Sequence, residues 1–296
     1  MRKLFYGISV VAMALGMVAC DDSVSSANNE DADKESSSSV ISEDASSSSV
    51  KPGSSSSKKD DPMSSSSRGL FDMTKDEFLN PEITYGTMTD TRDNKTYKIV
   101  KIGDQVWMAE NLNYADSIKT PSLKGNSWCY DNKAENCDVT GRLYTWAAAI
   151  DSVALANDSD DPQTCGYGEE CTLPTVVQGV CPEGWHLPSY DEWETLFKAV
   201  GGSSAAGKAL KSGSGWSDNG NGTDTYGFSA LPAGRRLSSG SFGGAGGNVG
   251  FWSASQYGYS GSDAYGMLLN YDYEDARMYD YEKYFGYSVR CLQGSN

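Results

Sequence analysis

Histidine is almost missing from this chain: His186 is the only one in 296 residues. That excludes a metal centre built on two or three histidines and leaves any imidazole-based triad a single candidate. Positive charge is also scarce, with 24 Lys and Arg against 40 Asp and Glu and a net charge of −16. A chain of that sign lacks the basic footprint that nucleic acid requires. Between residues 21 and 69 there is no Phe, Trp or Tyr, while 20 of those 49 positions are Ser. Such a stretch cannot bury enough apolar surface to offset its ordering entropy. The apolar run from Leu4 to Val18 is shorter than the about 20 residues of a membrane-spanning helix. The cysteines show no repeated C-x-x-C, the usual outline of a zinc site.

What is present divides the chain into three parts. Arg2 and Lys3, the apolar run, and Ala19 followed by Cys20 have the layout of a bacterial secretory signal ending in a lipobox-like cysteine. Residues 1–19 are therefore expected to be cleaved. Cys20 is expected to carry lipid that anchors the chain to a membrane of the cell envelope, outer membrane or cell surface. Residues 20–69 follow as a tether with four serine tetrads, Ser36–Ser39, Ser46–Ser49, Ser54–Ser57 and Ser64–Ser67. As a flexible coil it would span roughly 35–40 Å. Ser-rich tracts are also common acceptors for O-linked glycans. Residues 70–296 hold nearly all the aromatics and form the folded module.

Within that module a short helix is expected over Thr74–Leu79, then a hairpin of Thr96–Ile102 and Gln105–Leu112 turning at Gly103-Asp104. Leu143, Trp146, Ala147 and Ile150 recur at helical spacing. Ser189 and Glu192 form a capping box ahead of Trp193, Leu196, Phe197 and Val200, and Gly201-Gly202 stops that second helix. Beyond about residue 212, Gly-rich loops alternate with short runs expected as strands: Gly227–Leu231, Gly250–Ser255, Ala264–Tyr271, Arg277–Tyr281 and Tyr287–Leu292. The order, a hairpin, two helices, then loops and strands, implies an α+β domain. Setting Cys20 aside leaves six cysteines, an even number in an oxidising compartment, so three disulfides are expected. Spacing favours Cys129–Cys137 and Cys165–Cys171, which leaves Cys181 for Cys291.

Several blocks in this order are recognisable: Gly86–Asp90, Ile102–Tyr114, Gly141–Trp146, Cys181–Ser189, Gly227–Gly234, Phe251–Ser253 and Tyr287–Cys291. Together they resemble the Fibrobacter succinogenes major paralogous domain family, whose members are mostly exported or surface proteins without an assigned activity. The segment Leu143–Ile150, the block His186–Glu194 and the closing Gly286–Arg290 are more distantly similar to formylglycine-generating-enzyme-like domains. That resemblance implies a C-type-lectin-like fold, two helices packed on a short mixed or antiparallel sheet with long Gly-rich loops, in which first and last strands pair and a Cys181–Cys291 bridge fits. It does not imply the oxidase activity, because only Cys291 lies beyond residue 181 and the cysteine pair of that site is absent.

The functional expectation is a non-catalytic module for adhesion or polysaccharide contact, the alternatives being a hydrolase or oxidoreductase on the same fold, or a structural envelope component with protein partners. His186 reads as a structural residue near a helix start. Paired carboxylates, Asp191 with Glu194 and Asp272 with Glu274 and Asp275, are candidates for glycoside hydrolysis, though such groups are more often solvated charge. Nine of 18 tyrosines fall between Tyr257 and Tyr287. Tyr271 with Tyr273, and Tyr279 with Tyr281, have the two-residue period of one strand face and could stack on sugar rings or serve as half-buried strand residues. No cofactor is expected beyond calcium, for which Asp218, Asn219, Asn221 and Asp224 offer oxygen ligands in a Gly-containing loop.

Overall fold

The computed structural model describes residues 68–258 and 261–294. Cys20 and the Ser-rich stretch lie outside the described residues. The elements, in chain order, begin with β1 (Gly86–Thr89), β2 (Thr96–Ile102), β3 (Gln105–Met108), β4 (Ser127–Trp128), α1 (Ala134–Thr140) and β5 (Leu143–Tyr144). There follow α2 (Trp146–Ala149), α3 (Ser152–Ala156), β6 (Trp185–His186), α4 (Tyr190–Ala199) and α5 (Ser203–Leu210). The chain ends with β7 (Ala233–Arg236), β8 (Phe242–Ala245), β9 (Asn248–Tyr257), β10 (Asp263–Asn270), β11 (Arg277–Glu282) and β12 (Leu292–Gln293). No helix among the described residues is long and apolar enough to cross a membrane.

This is a mixed α/β fold dominated by sheet. One five-stranded sheet runs β1-β2-β3-β12-β6 and the other β11-β10-β9-β7-β8, where the expectation was a single short sheet. The first is antiparallel throughout, and the second is mixed because β7 meets β9 in parallel. The β2–β3 hairpin turns at Gly103-Asp104, Gly103 supplying the positive φ (60°) that the reversal needs.

The closing segment joins the two sheets. Arg236 bridges Gly286, Tyr144 bridges Tyr287, Phe251 bridges Ser288, and Leu292 pairs with both Trp107 and His186. Around this seam lie two apolar clusters. One gathers Trp146, Trp185, Trp252, Tyr144 and Tyr287, and the other Trp107, Trp193, Phe197, Phe228 and Phe251. In the second, Trp107 and Trp193 rings stand 4.7 Å apart. Three disulfides close Cys129 to Cys137, Cys165 to Cys171 and Cys181 to Cys291.

Several segments differ from expectation. Leu143 is not the start of a helix: Leu143–Tyr144 pairs with Ser127–Trp128, and the helix begins only after Thr145, whose Oγ1 accepts the Ala148 N–H at 3.2 Å. Leu143, Trp146 and Ile150 are all buried, as are the intervening Tyr144, Ala148 and Ala149, so periodicity cannot mark the boundary. α1, α3 and α5 are additional helices. α5 has a weak apolar stripe because its Gly207 packs against Asp275, where a Cβ would meet the Asp275 carbonyl at 2.1 Å. Gly227–Leu231 is a loop, not a strand, since the Phe228 and Ser229 carbonyls turn onto the Arg290 guanidinium. The expected short helix at Thr74–Leu79 is a 3-10 turn over Lys75–Phe78.

Candidate functional site

The tyrosines do not form one row. Tyr271 and Tyr273 lie past the end of β10, in the turn before β11, so the strand-face reading fails for this pair. Lys211 holds the turn, its Nζ donating to the Asn270 and Tyr273 carbonyls at 3.0 and 2.9 Å. Tyr279 and Tyr281 do share a face of β11, with rings 6.3 Å apart. Tyr281, however, is packed on Tyr287 and Trp252 at 4.6 and 6.4 Å, and burial pushes its phenol well above the usual range.

What reaches solvent is a smaller patch. Tyr273 is 53% exposed and Tyr279 37%, and Arg277 stands between them. The guanidinium lies 5.2 Å from the Tyr273 ring centre and donates to Tyr279 Oη at 3.0 Å. Asp275 accepts from Arg277 Nε, so the arginine is fixed from both sides. These residues line a shallow depression with Leu268 and Asn270. Rings held in this way lose little freedom when a flat ligand settles on them.

The proposed calcium loop is committed elsewhere. Asp224 is buried, and its two oxygens accept the Ser229 N–H and Oγ–H, each at 2.7 Å. Burial raises its pKa to about 6. Asn221 Oδ1 accepts from the Trp216 backbone N–H at 3.0 Å, while Asp218 and Asn219 are exposed with positive φ of 48° and 61°. Asx residues suit such left-handed turn positions without any metal. Among the described residues, no group of three or more His, Cys, Asp or Glu side chains is placed to hold a metal ion.

Two of the candidate carboxylates are held in ion pairs and a third is open to solvent. Glu274 meets Lys208 and Asp275 meets Arg277 at an exposed turn, and Asp191 is exposed on the first turn of α4. His186 Nε2 donates to Glu192 Oε1 at 2.8 Å, while Glu192 Oε2 takes the Ser189 N–H and Oγ–H. Burial works to raise the Glu192 pKa, but the His186 and Ser189 hydrogen bonds bring it below the usual value. The histidine thus orients a helix cap.

Two features escaped sequence reading. Arg290 is fully buried; its Nε donates to Asn111 Oδ1 at 2.8 Å and its terminal nitrogens to the Phe228 and Ser229 carbonyls. Burial pulls its pKa down to about 9, and Asp224 and Glu110 oppose that. The second feature is a cavity of about 370 Å³ between the Lys75–Phe78 turn, the start of β2, and the stretch after β3 that carries Glu110 and Asn113. Its only signal in the sequence is the Met108–Asn113 block, which reads as family resemblance and not as chemistry.

No curated protein and no solved structure matches this chain. The Fibrobacter succinogenes major domain family model matches residues 100–293, from β2 through β12, so the chain belongs to that family.

Proposed function

We propose that the chain is a non-catalytic, surface-displayed module that contacts polysaccharide, held to the cell envelope by lipid on Cys20 and kept clear of the membrane by its Ser-rich tether. A C-type-lectin-like fold is part of this reading. Its support is the return of β12 onto the N-terminal hairpin and the packing of α4 beside it, with loops filling the second half. The observation that carries the binding role is the exposed Tyr273 and Tyr279 pair fixed by Arg277. Tyr presents an apolar ring face and a polar tip, which suits a sugar polymer.

The test is retention of the oxidised full-length chain on insoluble cellulose, xylan and pectin, with calcium and again with EDTA. Wild type is expected to be retained on at least one polymer, and a folded Tyr273→Ala/Tyr279→Ala variant to lose most of that retention. Insensitivity to EDTA is expected from the engaged Asp224. A wild type that elutes from every polymer would defeat the proposal and direct the search to protein partners.

A further inference from the structure

The cavity beside β2 has the size of a small-molecule site, about 370 Å³. Glu110, only 9% exposed, lines it. One carboxylate oxygen, Oε2, accepts the Lys98 backbone N–H. The other, Oε1, is paired with the Lys75 ammonium at 2.8 Å. A carboxylate oxygen held this way keeps a lone pair that a ligand hydroxyl can use.

The remaining lining narrows the ligand class. Lys75 is paired with Glu110, and Lys95 Nζ pairs with Asp93 and donates to the Asn113 carbonyl, so the cations of the lining are already compensated and a charged acid gains little from the field. The side chains of exposed Asn94 and half-buried Asn113 also line the space and offer amide donors and acceptors to a ligand. Donors and acceptors of this kind, spread around a charge-balanced cavity, match a neutral polyhydroxylated ring.

We propose that this cavity is a second binding site, taking one neutral sugar residue at the end of a glycan, with Glu110 Oε1 accepting a hydroxyl hydrogen and Asn94 and Asn113 bonding its neighbours. The choice of a sugar rests on the polysaccharide reading above, whereas the residues are separate from Tyr273, Arg277 and Tyr279. The two sites divide the work: the tyrosine patch meets the flank of a polymer and the cavity meets its terminus.

Isothermal titration of the oxidised full-length chain with cellotetraose, xylotetraose and mannotetraose tests this. Wild type is expected to bind at least one of them. Glu110→Gln is expected to weaken that binding at least tenfold. Val139→Trp, which fills the cavity from its half-buried rim and leaves Glu110 in place, is expected to abolish it. Tyr273→Ala/Tyr279→Ala is expected to leave it within twofold. Melting curves establish that each variant is folded, and if Glu110→Gln is not, Val139→Trp alone decides. Absence of binding by wild type to all three oligosaccharides, or binding that survives the cavity variants, overturns the inference. Retention on insoluble polymer, measured alongside, reports separately on the tyrosine patch.

Discussion

Asp224 couples a loop to the core through a single carboxylate. Its oxygens hold Ser229, whose φ of 51° is unusual for a residue with a Cβ, and Ser229 in turn presents its carbonyl to Arg290. The carboxyl has its pKa raised to about 6 by burial, against an ordinary value of 3.8. The folded state therefore keeps its proton to a higher pH than the unfolded state does. Stability from this group is complete below about pH 4 and is lost as pH rises through 6, a difference of roughly 3 kcal/mol. Asp224→Asn keeps an acceptor for the Ser229 N–H but cannot ionise. Urea midpoints of the two proteins between pH 4 and 7 are expected to diverge in favour of the variant as pH rises, and parallel curves would show that Asp224 does not titrate differently on folding. None of this was visible in the sequence, where Asp224 looked like one more turn residue and a ligand for calcium.

At the scale of the element, α4 is the part of the fold that the chain announces most openly. Ser189, Glu192 and Gly201-Gly202 mark both ends, and the structure places the helix at Tyr190–Ala199 with the capping box formed. Ser189→Ala removes one acceptor for a helix N–H and the hydroxyl that Glu192 holds, at a cost of about 1 kcal/mol. Equilibrium unfolding in urea reads that loss as a lower midpoint with an unchanged slope; a midpoint that does not move would mean that His186 alone fixes the cap. The β2–β3 hairpin was equally legible, because Gly103-Asp104 punctuates two alternating runs. The helices α1, α3 and α5 were not, for a common reason: each is short and held by something non-local. Cys137 ties α1 to Cys129, the Asp151 that caps α3 from a left-handed φ of 53° is itself held by the Ser122 hydroxyl, and Gly207 lets α5 approach Asp275. Tyr271 and Tyr273 misled for a related reason, since the two-residue period does not reveal that Lys211 pins their carbonyls into a turn.

At the scale of the molecule, the Cys181–Cys291 bridge closes a loop of 110 residues that contains α4, α5 and all of the second sheet. Chain entropy assigns such a closure about 4–5 kcal/mol. For a domain of this size that corresponds to a melting temperature lower by about 10–20 °C in a Cys181→Ala/Cys291→Ala variant, measured by calorimetry. A drop of only one or two degrees would mean that the unfolded chain is already compact around this pair. The seam beside the bridge has a further consequence, one of timing. Gly286, Tyr287, Ser288 and Leu292 supply partners to β7, β5, β9, β3 and β6, so neither apolar cluster can be completed until residue 292 has been synthesised. A chain cut ten residues short of that point would leave its tryptophans open to chaperones and proteases instead of closing over them.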